Sequence, residues 1–257
     1  MGISDTGEGG KRVSSVERAF DVVSVLRERG PVRIEEVAEA LDVSTSTAHV
    51  HLKTLESVGY AVGEDEGYRL GYRFLRDGVE VRQRSNVYEI TRPEVEALAE
   101  ETGEVANLGV EEEGKRVILH QDEGTEAVYD NAPIGEFTNM HWTALGKSIL
   151  AHLPEDYVER IIEAHGLPDR QQNTITDRDE LAEELARVRD RGYALEDEER
   201  RAGIRSVAVP ILVDDAVKGA ISVSGPKERL DDRRIEEKLL PALRNRVNVV
   251  EVKYAYE

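Results

Sequence analysis

Two short stripes of helical period lie either side of a three-residue break in the segment 34–58, IEEVAEALDVSTSTAHVHLKTLESV. Ile34, Val37, Ala38 and Leu41 share one face of the first stripe, and Ala48, Leu52 and Leu55 share one face of the second. Asp42-Val43-Ser44 interrupts the pattern, and Ser44 stands where a serine side chain caps a helix start. Helices this short do not bury their apolar faces against each other alone, so the segment dictates what its flanks must supply. A third amphipathic helix precedes it, with Val16, Ala19, Phe20, Val23 and Leu26 expected inward. A hairpin follows: strands at 60–62 and 68–70 around an acidic turn bounded by Gly63 and Gly67. Three helices and a hairpin make a winged helix-turn-helix. The helix that Ser44 caps keeps Ser46, Thr47, His49, His51 and Lys53 polar, which suits contacts in a DNA major groove.

Each of these positions also has a plainer reading. The polar side can be a solvated helix face. Lys53 can touch phosphate and carry no sequence information. Arg69, on the hairpin, is placed to reach the DNA backbone or minor groove, and equally to pair with Glu64 or Glu66.

The charge runs against a nucleic-acid partner. The net charge is −19 over 257 residues, whereas nucleic-acid modules show a basic face. The imbalance is uneven, however. Residues 1–76 hold 13 acidic and 10 basic side chains, and residues 77–257 hold 40 and 24. The proposed reader is therefore close to neutral. Only 8 of the 34 basic residues are lysine. Many carboxylates with little lysine point to a chain kept soluble in concentrated salt, where phosphate contacts weaken. There is no cysteine, hence no disulfide, thiolate metal site or cysteine nucleophile. No apolar run approaches the roughly 20 residues that span a bilayer. The opening MGISDTGEGGKR lacks the apolar stretch of a secretory signal and is expected to be a flexible tail on a cytoplasmic protein.

Beyond the hairpin, 71–85 is a charged connector with Phe74, Leu75, Val79 and Val81, expected helical with breaks near Gly78 and Ser85. A helix follows with Val95, Leu98 and Ala99 inward, ending at Gly103. Strands are expected at 105–111, 115–121 and 127–131, the first two joined through Glu113-Gly114. Helices are expected at 143–152, 154–165 and 177–191, then strands at 206–213 and 217–224 joined at Asp214-Asp215. A long last helix begins near Asp231, with Pro241 bending it. Clustered strands with helices around them give an α+β domain on an antiparallel sheet.

Two features of this second half point to a small-molecule site. Thr143 caps a helix whose first amides, at Ala144, Leu145 and Gly146, are oriented to bind a carboxylate; the plain alternative is a helix start packed on the sheet. Gly146 lets a ligand or a neighbouring backbone approach closely. The run is not a phosphate loop, because His141 stands where that motif needs glycine. Ser222 and Ser224 share one face of a strand and offer two hydroxyls to an oxyacid, unless that face is simply turned to solvent. The histidines lack metal-ligand spacing, and no G-x-S-x-G elbow or triad is recognisable. No metal and no cofactor are expected.

Several short motifs, in order and correctly spaced, are shared with one known family. They are Ser15-Val16-Glu17-Arg18-Ala19, Ser46-Thr47, Leu52-Lys53-Thr54-Leu55, Gly59-Tyr60 and Tyr68-Arg69-Leu70-Gly71. Further on come His141 to Lys147 (HWTALGK), Gly203 to Ile211 (GIRSVAVPI) and Ile221 to Pro226 (ISVSGP). From about Lys11 to the C-terminus the chain resembles the IclR-type transcriptional regulators. The resemblance implies a winged helix-turn-helix, a linker helix used in dimerisation and a GAF-like domain for a small organic effector. It adds Glu196 and Ser206 to the effector set of Ala144, Leu145, Gly146, Ser222 and Ser224. A charged Glu196 beside a carboxylate ligand is unfavourable unless it takes a proton or meets a hydroxyl. Two positions depart from the pattern: many members carry arginine at Val50 and cysteine at Ser206.

The expected organisation is a tail over 1–10, a reader over 11–72, a linker helix over 73–87 and an effector domain over 88–257. The expected partners are a double-stranded DNA operator, a carboxylate-bearing effector and a second or further copies, as a dimer or tetramer, with no membrane. A hydrolase or transferase fused to a DNA module is the rival from another class. It needs a nucleophile–base pair that the sequence does not display. A DNA-binding architectural protein with no effector is the third reading.

Overall fold

The computed structural model describes residues 12–128 and 132–256, so the expected tail over 1–10 lies outside the described residues. The chain divides between Arg84 and Ser85 into two compact units.

In the first unit α1 (Ser14–Arg29), α2 (Ile34–Ala40) and α3 (Thr45–Ser57) are followed by the hairpin β1 (Ala61–Glu64) and β2 (Gly67–Leu70). Asp42 adopts φ 50° in the α2–α3 turn, a conformation that aspartate tolerates better than most residues. Ser44 caps α3, accepting the Thr47 N–H at 3.1 Å. Val37, Ala38, Ala48 and Leu52 close the core with Val22, Val25, Leu26, Val32 and Ala61. Val32 bridges Tyr68 and ties the α1–α2 connection to the hairpin. Gly67 has φ 142°, and a Cβ there would lie 2.5 Å from the Val32 carbonyl oxygen, so only glycine fits.

One expected face is corrected. Leu26 is buried as expected and Ala19 and Val23 are half-buried, but Val16 and Phe20 on α1 are exposed, and Val22 and Val25 are buried in their place. The exposed positions lie in the first two turns of α1 and the buried ones in its second half. The helix α4 (Arg73–Gln83) follows the hairpin. It runs straight through Gly78, where a break was expected, because one glycine costs a helix only about 1 kcal/mol. Phe74 packs edge-on against Tyr60, with centroids 4.7 Å apart.

The second unit opens with α5 (Asn86–Thr102), ended by Gly103 in the left-handed conformation. An antiparallel six-stranded sheet follows, in the order β5-β4-β3-β8-β7-β6. Its strands are β3 (Val105–Glu112), β4 (Lys115–Glu123), β5 (Phe137–Asn139), β6 (Ala194–Asp197), β7 (Ile204–Val213) and β8 (Ala216–Pro226). The strand expected at 127–131 is not found. Ala127 and Val128 are irregular, 129–131 lie outside the described residues, and the strand that joins β4 is β5.

Alternation splits the sheet into two faces. Ala106, Leu108, Val207, Val209, Ile221 and Val223 face α5 and the C-terminal helix. That helix comprises α9 (Asp232–Arg234), a π-helical turn (Ile235–Leu239) and α10 (Leu240–Tyr254). The Leu240 N–H donates to the carbonyl of Ile235, five residues back, just before Pro241, which has no N–H to give. On the other face Ile118, Ala208 and Ala220 pack under α6 (Ala144–Leu150), α7 (Glu155–His165) and α8 (Arg178–Arg191). Here the inward positions are small or polar, which lets α6 come close to the strands.

Leu52 is fully buried at the centre of the first core. Leu52→Ala is expected to cost about 2–5 kcal/mol. Amide hydrogen exchange should accelerate across 48–55 and stay unchanged across 105–123.

Candidate functional site

Two sites emerge, one in each unit. On α3, Ser46, Val50 and Lys53 form an exposed stripe, with His49 beside them and Val50 59% exposed. Thr47 and His51 are half-buried on the flank of the stripe. Ser44 and Thr47 hold each other, with hydroxyl oxygens 2.8 Å apart, so their side chains shape the start of α3. Lys53 Nζ pairs with Glu56 at 2.7 Å, and Arg69 Nε on the hairpin pairs with Glu64 at 2.6 Å. The pairing open in the sequence between Glu64 and Glu66 is thus with Glu64. Both pairs are solvent-facing and weak, so a phosphate can compete for either cation.

The second site lies between the sheet and α6. Strand register sets Ser224 opposite Ser206, and Ser206 opposite Glu196, as one polar row across β8, β7 and β6. Asn107 on β3 lies opposite Ser222. All five are nearly inaccessible to solvent, so Ser222 and Ser224 do not form a solvent-turned face. With Ala144 and Leu145 at the first turn of α6 they line one cavity of ≈ 20 Å³, room for about one water molecule. The cavity is therefore almost filled by side chains.

Of the seven effector positions expected, six meet at this cavity and Gly146 does not line it. Its N–H donates to Thr143 Oγ1 at 2.9 Å. A Cβ at Gly146 would lie 2.2 Å from the Met140 carbonyl oxygen. Gly146 therefore serves the close approach of a neighbouring backbone, and of the first-turn residues it is Ala144 and Leu145 that line the cavity.

Several lining residues were not foreseen: Asn107, Arg116, Ile118, Ala132 and Arg200. Parity held the signal for two of them. Asn107 is out of phase with the apolar Ala106 and Leu108, and Arg116 is in phase with Ile118. Arg116 is 2% exposed, with its Nη2 2.7 Å from Glu136 Oε2. Gly109 leaves the space its stem and Leu145 occupy: a Cβ there would meet Arg116 Cδ at 3.5 Å and Leu145 Cδ1 at 3.0 Å.

Burial dominates the electrostatics. It pushes the Glu196 carboxyl up to about 7, opposed by the Ser206 hydroxyl, which donates to it at 2.7 Å, and by Arg200. Glu199, close behind, is also raised by burial, against the pull of Lys147, whose Nζ lies 2.5 Å away. Near neutrality Glu196 thus exists in both forms, and its protonated form can donate to an oxyanion. Among the described residues no group of three His, Asp or Glu converges as for a metal ion, and no helix is long and apolar enough to cross a membrane.

A helix-turn-helix with an exposed polar stripe, linked to a sheet domain with a buried polar cavity, defines a ligand-sensing DNA-binding protein. The description "IclR helix-turn-helix domain" matches residues 15–65, and "Bacterial transcriptional regulator IclR C-terminal" matches residues 79–251. The chain belongs to the IclR family of transcriptional regulators. It is 33% identical over 248 residues to the probable HTH-type transcriptional regulator ArcR of Halobacterium salinarum, covering 95% of this chain and 94% of that one. The crystal structure of the Thermotoga maritima IclR superposes with a TM-score of 0.78 at 28% identity, covering 94% and 99% of the two chains. An IclR homologue from Microbacterium hydrocarbonoxydans, crystallised with 4-hydroxybenzoate, has the same fold, with a TM-score of 0.81 at 22% identity over 95% and 100%.

Between about pH 4.5 and about 7 folded Glu196 keeps a proton that the unfolded chain has released. Its contribution to stability is complete below pH 4.5 and is lost as the pH rises through 7. The shift corresponds to something on the order of 3 kcal/mol. Glu196→Gln should flatten the pH dependence of denaturant unfolding in this window; an unchanged slope would contradict the assignment.

Proposed function

We propose that this regulator binds its operator through the exposed stripe of α3 and releases or tightens that grip when a small carboxylate-bearing metabolite enters the cavity under α6. The observation that carries this is the buried row Ser224–Ser206–Glu196 with Asn107 and Ser222. Burying so many polar groups on one inner sheet face is costly; Ser206 and Glu196 partner each other and Asn107 accepts from Gln121, contacts that a hydrogen-bonding ligand can join or replace. The proposed contacts are Ser222, Ser224 and Ser206, the Ala144 and Leu145 amides, and protonated Glu196. The homologue bound to 4-hydroxybenzoate supports a carboxylate as the ligand class.

On the DNA side, the proposed contacts are Ser46, Thr47, His49, His51 and Lys53, with Arg69 on backbone or minor groove and Ser44 fixing the helix start. The protein acts as a dimer or higher assembly, so that two copies of α3 meet major grooves about one helical turn apart. The effector shifts the population of arrangements about the connector near residues 73–87, and only as far as its affinity differs between them. The reader is 11–72 and the effector domain 88–257. The setting is the cytoplasm, and the surplus of carboxylates suits concentrated salt.

The double substitution Thr47→Ala and His49→Ala should abolish operator selectivity in footprinting while leaving the fold intact; an unchanged footprint would contradict the placement of the recognition helix. A thermal-shift screen of keto acids, sugar acids and aromatic acids in high salt should find stabilising compounds. Ser222→Val should remove that stabilisation without loss of operator binding.

A further inference from the structure

We infer that Arg116 is the carboxylate anchor of the effector site, and that Glu136 is a built-in competitor which holds the site closed until an effector acid replaces it. The inference deepens the cavity reading above and rests on it.

Arg116 lines the cavity together with Ser206, Ser222 and Ser224. It is among the largest fully buried side chains of the chain, at 2% exposure. A guanidinium is a fixed cation whose planar fork matches a carboxylate. The position is an inward site on β4, two residues before Ile118, and Gly109, the β3 partner of Ile118, leaves room for its stem.

Glu136 contacts it from a different side. Its Oε2 lies 2.7 Å from Arg116 Nη2, yet its side chain remains 27% exposed. The carboxylate can thus leave Arg116 for water without being buried unpaired. Glu136 belongs to a tight turn, closed by its N–H to the Pro133 carbonyl at 2.9 Å, and Ala132 at the start of that turn lines the same cavity. The turn is held to the sheet by Ile118, which exchanges hydrogen bonds with Gly135 and Glu136. One carboxylate therefore both occupies the anchor and draws in the segment whose Ala132 forms part of the cavity wall.

The ≈ 20 Å³ cavity admits a water and not an organic acid. An acid that takes Arg116 frees Glu136, and the turn can then withdraw and make room. The exchange is charge-neutral at Arg116: one carboxylate goes out and one comes in. A neutral ligand does not compete. The ligand class follows: a small acid whose carboxylate meets Arg116 and whose hydroxyl or carbonyl meets Ser222, Ser224 and Glu196. Arg116 also explains how a cavity holding Glu196 accepts an anion, since the buried glutamate does not stand alone there.

The test uses the full chain and calorimetric titration with glycolate, pyruvate and 4-hydroxybenzoate, each against its amide, at fixed high salt. The wild type should bind at least one acid and none of the amides. Arg116→Gln should lose that binding by a hundredfold or more, and Arg116→Lys should retain part of it. Glu136→Gln, which keeps the shape of the turn and removes the competing charge, should bind the same acid about tenfold more tightly. A gain on removing a carboxylate is not expected if the pair is only structural, and it does not depend on the arginine variants folding. Acid binding that disappears in Ser222→Val but is unchanged in Arg116→Gln and Glu136→Gln would overturn the anchor and leave the cavity reading standing. Failure of every acid and amide to bind the wild type would remove both.

Discussion

The close seating of α6 on the six-stranded sheet is the constraint from which the second unit's function follows. It requires Gly146 against the Met140 backbone, Gly109 beneath Leu145, and Ala208 and Ala220 on the strands below. Any larger side chain at Gly146 drives α6 off Met140. Because the helix is so near, the polar groups beside it are sealed from solvent. Sealing raises Glu196, makes Arg116 a desolvated cation and reduces the space between them to the size of a water. The Lys147–Glu199 pair reinforces the arrangement from the same helix, joining α6 to the loop that carries Arg200 into the cavity wall. A buried pair of this kind adds little net stability, but breaking it would leave a charge without compensation, so it fixes position.

The first unit obeys a different economy. Its core is small, and its basic groups nearest the polar face of α3 already have carboxylate partners, Glu56 for Lys53 and Glu64 for Arg69. For DNA phosphates to engage these cations, exposed and weak pairs must exchange. On the proposed interface, sequence selectivity would then fall to the uncharged and histidine positions of the stripe.

Much of this was legible in the sequence because the signals were local. Helix periods located α2 and α3, Ser44 and Thr143 marked helix starts, Gly103 marked a helix end, and paired turn residues marked the hairpins at Glu113-Gly114 and Asp214-Asp215. The family motifs brought Glu196 and Ser206 to the same place as Ser222 and Ser224. What escaped depended on neighbours distant in sequence. Strands β5 and β6, of three and four residues, carry no period to read, and their pairing alone defines them. The inward face of α1 could not be chosen without knowing how little of it the reader covers. Arg116 was not singled out in the sequence, and the packing of α6 against β4 buries it. Gly146 was read as a point of close approach for a ligand or a neighbouring backbone, and the group that approaches is the Met140 backbone.

The central claim is that occupancy of the cavity under α6 and operator binding by α3 are linked. The direct measurement is operator affinity with and without a saturating acid shown to bind at the cavity, with the acid's affinity measured in the presence and absence of operator. The account predicts a shift of at least fivefold, equal in both directions as linkage demands. Equal operator affinities with the cavity full and empty would contradict it.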